Sequence, residues 1–434
     1  MGDPAKRATL RANAMPAPTW HRLNTNYADI EAPEGLACGA NGASVELSGA
    51  AAASSADAFD AALAAMEPRY AGRRRKSAPG DAAHAQNAAD ELDVPALSAM
   101  QAASIDAEEN LTIAEAFETG MGADAASYLR ENAACGASIE VPAGACGSAA
   151  VRIEAAGGEA SCAAVDVVVR EGATLDLLVT LDSPAAAADA SGVTGLAGCE
   201  LRVACERGAS ANIVNVHTLD SNFVSLDDTG IVLDEGAKAH VSHRVLGAGR
   251  AYLGFAADLR GDASDLNVTT HYVGHGAQER DFNYIVRHRG KSTTSFLDAN
   301  GVLMDESSKV LRGTIDLVHG CKGAEGTERE TVLLADEHVT NKTVPVILCD
   351  EDDVAGNHGA TIGHMRPEQL TYLMSRGISP HEAERLFAVA AFEETALLIH
   401  DEAVHEGIMR VARELGMAEG LAALMDDATA QDGE

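Results

Sequence analysis

Between Val141 and Leu348 the chain repeats one arrangement that leaves few folds open to it. Short runs of Val, Ile and Leu alternate with polar residues, and each run is set off by a small glycine turn. Ala164-Val165-Asp166-Val167-Val168-Val169 and Leu175-Asp176-Leu177-Leu178-Val179 are two such runs, and their period of two is that of strands. The turns are Cys146-Gly147-Ser148, Glu171-Gly172-Ala173, Arg207-Gly208-Ala209, Glu235-Gly236-Ala237, Gly261-Asp262-Ala263 and Arg289-Gly290-Lys291, so their glycines recur at intervals of 25, 36, 28, 25 and 29 residues. A recurrence that long, holding several strands and no helical pattern, predicts a β-solenoid whose stacked coils bury a continuous interior. A β-sandwich would give turn signals every ~8–12 residues without the longer recurrence.

The flanks read differently. From Pro367 to Arg376 and from Pro380 to His400, apolar residues fall at helical spacing (Leu370, Leu373 and Met374, then Ala383, Leu386, Phe387 and Ala390), with proline at each start and Gly377 ending the first. Glu402 to Met425 supplies one or two further helices. The first 120 or so residues hold Ala-rich patches such as Ala50 to Ala53, a basic island Arg73-Arg74-Arg75-Lys76 and a linker-like stretch from Ser77 to His84. They predict a loosely organised helical region. The expected architecture is therefore mainly β: a helical or irregular N-terminal region over 1–130, a parallel β-helix core over 131–362, and a C-terminal helical domain over 363–434 covering a solenoid end.

Composition excludes several functions. Of 434 residues, 32 are Lys or Arg and 66 Asp or Glu, a net charge of −34 that argues against nucleic acid and anionic membranes as partners. No run of 18 apolar residues exists, and Met1 to Pro16 lacks the apolar core of a secretory signal, so the expectation is a soluble cytoplasmic protein. Eight scattered cysteines without CxxC pairs read as reduced thiols.

Enzyme motifs are sparse. Gly290-Lys291-Ser292-Thr293 lacks the upstream glycine of a phosphate-binding loop, and neither a Gly-x-Ser-x-Gly elbow nor a His-Glu-x-x-His pair is present. His240 and His243, three apart in a strand, point to opposite faces, and Gly274 places a turn between His271 and His275. The segment from Asp350 to Gly363 stands apart: four consecutive acids, Asp350 to Asp353, precede His358, which is flanked by Gly356, Gly359 and Gly363. A histidine held there can offer a ring nitrogen to a metal, with Cys321 and Cys349 as soft companions, or serve as a hydrogen-bonded junction residue. The acids could bind a divalent cation, although their arrangement is unlike a calcium loop.

The run from Asp352 to Gly363, with Glu368-Gln369-Leu370-Thr371-Tyr372-Leu373-Met374-Ser375-Arg376-Gly377-Ile378 and Glu382-Ala383-Glu384-Arg385-Leu386, resembles the SufD branch of the SufB/SufD family of iron–sulfur cluster assembly scaffolds. Pro16-Ala17-Pro18-Thr19-Trp20-His21-Arg22-Leu23 is similar to the family's proline and tryptophan entry. The resemblance implies a right-handed parallel β-helix and a non-catalytic scaffold that pairs with a SufB-like subunit. It implies that a SufC-type ABC ATPase, which carries the ATP, docks on the C-terminal helices. No cofactor is then bound stably by this chain alone, and a nascent iron–sulfur cluster forms in the complex. His358 matches the interface histidine proposed as an iron or cluster ligand, and the docking surface falls on Tyr372, Ser375, Arg376, Gly377, Leu386 and Phe392. Many relatives place a cysteine two residues before that histidine, where this chain has Gly356. SufB carries a cysteine in the strand reading Thr327-Glu328-Arg329-Glu330 here, and a His-Glu pair in place of His358-Gly359; both differences favour SufD. The alternatives are a self-associating scaffold of the same family, or a carbohydrate-active β-helix enzyme, a class that lines its groove with aromatics, whereas aromatics here are 4%.

Overall fold

The computed structural model describes residues 8–17, 24–32, 36–39, 42–70, 111–183, 194–418 and 421–422. The tryptophan entry, the basic island and the linker-like stretch lie wholly or partly outside them. The recurrent runs form a parallel solenoid of eight coils with two strands per coil. One sheet stacks β6 (Ala133–Val141), β8 (Glu159–Val169), β10 (Leu196–Cys205), β12 (Val224–Leu233), β14 (Arg250–Leu259), β16 (Glu279–His288), β18 (Ser308–Leu317) and β20 (Thr340–Cys349). The facing sheet stacks β7 (Cys146–Glu154), β9 (Thr174–Asp182), β11 (Ser210–His217), β13 (Lys238–Val245), β15 (Asp265–Gly274), β17 (Thr294–Leu303), β19 (Glu325–Leu334) and β21 (Ala355–Gly363).

Strict register turns the sequence alternation into columns of side chains inside the solenoid. Ile213, Val241, Val268 and Leu297 form one such column and Leu253, Phe282 and Leu311 another, all buried in a single apolar core. The corners follow the glycine recurrence with a division of labour. Gly172, Gly208 and Gly236 all sit at φ +64, in the left-handed region that favours glycine. At the next two corners Ala263 (φ 57) and Ser292 (φ 52) take that conformation instead. Gly261 and Gly290 are needed there for a different reason: a Cβ would collide with the backbone of Glu235 and of Gly261, respectively. The first expected turn is corrected by one repeat of the same logic. Cys146-Gly147-Ser148 lies inside β7, and the corner residue is Gly144 at φ 68.

The N-terminal region differs from the helical expectation. Its described residues form β1 (Ala8–Ala12), β2 (Ala28–Ala32), β3 (Ala37–Cys38), β4 (Ala43–Gly49) and β5 (Ala52–Ala53), besides α1 (Ala58–Tyr70), α2 (Ile113–Ala116) and α3 (Ala123–Glu131). Ala52 and Ala53, expected to be helical, pair with Glu140 and Ile139 because the first solenoid edge offers unpaired backbone groups. Propensity yields to pairing there.

Each outer sheet face is covered by one flank. Ala12, Ile30, Met121, Ala125 and Leu129 pack on Leu196, Val224 and Leu226 of the first sheet. On the second sheet, Val216, Leu246, Val273 and Val302 are covered by Val389 and Phe392 of α5 (Pro380–Leu398) and by Val404, Ile408 and Val411 of α6 (Glu402–Glu414). Polar clamps fix this helical layer: Arg410 pairs with Asp182 and Asp220, Arg152 with Asp401, and Arg244 with Glu394. The preceding helix, α4 (Pro367–Ser375), buries none of its residues.

Candidate functional site

The two solenoid ends are finished differently. At the first, β4 runs antiparallel along β7 and β5 along β6, closing both edges. At the other, β20 and β21 are the outermost strands of their sheets. Most of β21 is exposed and β20 is half-buried, although their inward side chains continue the interior columns. Among the described residues no further strand pairs with these edges, and an unpaired strand edge is the kind of surface on which another chain can pair.

The interior columns change character on reaching this end. Ile213, Val241, Val268 and Leu297 are followed by Glu328 and then His358, and Leu311 is followed by Thr343. Glu328 and His358 are register partners on adjacent parallel strands, so their side chains leave the same face. Glu328 is only 6% exposed and His358 is exposed. A Cβ at Gly313 on β18 would run into the Glu328 carboxyl, so glycine there makes the room that the acid occupies. Burial first, and the neighbouring Glu330 second, push Glu328 up to about 7.

Glu330 has the opposite surroundings. It is 1% exposed, pairs with the buried Lys309 ammonium, and accepts hydrogen bonds from Thr343 (2.6 Å) and the Tyr272 hydroxyl (3.2 Å). Burial holds Lys309 below its ordinary pKa despite that pairing. The last two coils thus carry one satisfied buried ion pair and, beside it, one carboxyl with no hydrogen bond from a described residue, under an exposed imidazole.

Among the described residues no group of three or more His, Cys, Asp or Glu could hold a metal ion. A metal ion at His358 would therefore need at least part of its ligand set from outside the described residues. Cys321 is buried with Ile315, Leu317 and Ala324, its thiol pushed up to about 12 chiefly by burial, and Cys349 is exposed at the end of β20, donating to the Glu351 carbonyl (3.3 Å). The acids before His358 organise a corner. The Glu351 carboxylate accepts from the backbone N–H of Gly320 (3.0 Å) and Asp352 (3.1 Å), and these bonds lower its pKa. The other histidine pairs stay apart: His240 is exposed and His243 buried on opposite faces of β13, while His271 pairs with Glu394 (2.8 Å) and His275 contacts Gln278.

One constellation was missed from sequence. Inside the lumen, Ser225 Oγ lies 2.7 Å from His217 Nδ1, and His217 Nε2 lies 3.0 Å from Asp227 Oδ2. The spacing is that of a hydrolytic triad, yet all three are buried under the cover of both sheets, where no substrate reaches. Burial raises the Asp227 pKa, but the bond and charge of His217 outweigh it and leave the carboxylate below its ordinary range. No spacing rule finds this set, because its members come together only through register.

On the C-terminal helices, Tyr372 is 58% exposed, and Met374, Leu386 and Phe387 join it on the surface. The Arg376 guanidinium sits 5.3 Å from the Tyr372 ring centroid, Ser375 Oγ donates to the Tyr372 carbonyl, and Gly377 at φ +87 ends α4. Phe392 is corrected: it is fully buried in the layer between α5 and the second sheet, so it holds the helices to the solenoid and is not a docking residue.

Comparison with known proteins bears on the whole arrangement. Residues 151–392 match the family model described as SUF system FeS cluster assembly, SufBD core domain. The chain is 37% identical over 129 residues to the iron-sulfur cluster assembly protein SufD of Bacillus subtilis (strain 168), a stretch covering 30% of each protein. It is 30% identical over 131 residues to an iron-sulfur cluster assembly SufBD family protein of Staphylococcus saprophyticus, covering 30% of this chain and 28% of that one, and 28% identical over a stretch of the same length to one from Staphylococcus epidermidis. The matches thus span less than a third of these relatives' length.

Proposed function

This chain belongs to the SufBD core family of the SUF iron–sulfur cluster assembly system, and from that premise we propose that it is a SufD-type, non-catalytic scaffold subunit. In this reading it pairs through the open end of its solenoid with a SufB-like subunit, and α4 with the outer face of α5 docks a SufC-type ABC ATPase in the cytoplasm. His358 offers an imidazole to the nascent cluster, which is cargo of the complex, and ATP stays on the ATPase. The observation that carries the reading is the asymmetry of the ends among the described residues: strands β4 and β5 close one, while no described strand pairs with β20 or β21 at the other, where the His358 column ends. No helix among the described residues is long and apolar enough to cross a membrane. The same edge could accept a second copy of the chain, so the solution mass of the isolated protein separates a self-associating scaffold from a heterodimer subunit.

Ile362 on β21 is 43% exposed and continues the inward column above Val332. Ile362→Asp should leave the melting temperature unchanged and abolish capture of a tagged SufB-type partner. Capture at the wild-type level would refute pairing through this end.

A further inference from the structure

Resting on that reading of the open end, we propose that Glu328 is a second ligand contributed by this chain: its carboxylate and the His358 imidazole together take one Fe2+, with water or the partner completing the coordination. Glu328 replaces an aliphatic residue in a column that reads Ile213, Val241, Val268 and Leu297 through the coils before it. Burying an acid there costs stability, and a buried polar group without a partner calls for a reason. Packing supplies none, since Gly313 has been emptied of its side chain to admit the carboxyl. Ion pairing goes mainly to its neighbour: Glu330, two residues on and facing the same lumen, takes the bonds of Lys309, Thr343 and Tyr272, while Glu328 receives none of these bonds and only the field of the Lys309 ammonium, which does not offset its burial.

The register partner of Glu328 on the outermost strand is His358. The two are in register on adjacent strands, which lie about 4.8 Å apart in a sheet, a span that a glutamate and a histidine side chain close around one ion. Carboxylate oxygen and imidazole nitrogen are the donors found together on non-haem Fe2+ sites with open positions. The pair is an incomplete site, as the absence of a third such ligand among the described residues requires, and it lies where a partner strand would add the rest.

The test is an anaerobic titration of the full chain with Co2+, a visible-absorbing stand-in for Fe2+, using wild type, Glu328→Gln and His358→Ala, with partner capture measured on the same preparations. Gln fills the space beside Gly313 and removes an unpaired acid, so Glu328→Gln should melt no lower than wild type. Each variant should weaken Co2+ binding at least about tenfold and lose the absorption of a nitrogen–oxygen site, while Glu328→Gln captures partner normally. A Glu328→Gln variant that binds Co2+ as tightly as wild type, or a wild type that binds none, would overturn the proposal. Lost capture by wild type would instead refute the pairing reading and leave the titration to decide the site.

Discussion

At the scale of single residues, burial sets the chemistry more than sequence neighbours do. Asp227 and Asp228 are adjacent in β12, yet one faces the lumen and is held ionised by His217, while the other faces outward and is driven up to about 8 by burial. Asp228 accepts the Met121 N–H (2.8 Å) and the Thr119 hydroxyl (2.7 Å), fixing the strap ahead of α3 to the sheet. Because its folded pKa is raised, Asp228 contributes most when protonated, and stability is lost as pH rises from the ordinary carboxylate range to about 8. Asparagine can keep both bonds, accepting from Met121 and donating to Thr119, without the charge. The urea midpoint of Asp228→Asn should therefore gain on wild type between pH 5 and pH 8.5; an equal gap at both pH values would mean that the carboxyl is not perturbed.

At the scale of elements, the helical layer divides into an anchor and a free surface. α6 and the buried face of α5 cover the second sheet, whereas α4 presents Tyr372 and Met374 to solvent. Phe392→Ala should cost about 3–5 kcal/mol in a urea titration, the range for deleting a buried aromatic ring. Tyr372→Ala should move stability by no more than about 0.5 kcal/mol and yet weaken ATPase capture. Equal destabilisation by the two variants would contradict the division. Removing the chain beyond about residue 365 is a poorer test of docking, since it would strip the cover from Val216, Leu246, Val273 and Val302.

The sequence disclosed the elements whose local signals agree with their packing. The solenoid strands alternate because their two faces meet different surroundings, and α4 and α5 carry proline starts that the structure uses, with Ser379 capping α5. It misled where tertiary pairing overrode propensity, as at Ala52 and Ala53, and where an apolar helical position had two possible burdens, as at Phe392. The glycine-flanked setting of His358 is visible in the sequence. The relation of that histidine to Glu328, 30 residues earlier, is not, because a contact between coils depends on register, which a degenerate repeat does not fix.

At the scale of the whole molecule, the described residues form a rod with both faces dressed, one end closed by added strands and the other without them. Among the described residues the end at β20 and β21 concentrates what the rest hides: outermost strand edges, an emerging polar column and an exposed imidazole. In the proposed reading the chain acts by presentation, holding a ligand at the rim of a rigid solenoid where a partner would close the site. The most direct measurement is anaerobic iron and acid-labile sulfide content of the complex co-purified with SufB- and SufC-type partners, for wild type and His358→Ala. Because the ring is exposed, the variant should assemble the same complex and carry markedly less iron and sulfide; an intact complex with wild-type iron and sulfide would contradict a cluster site at the open end.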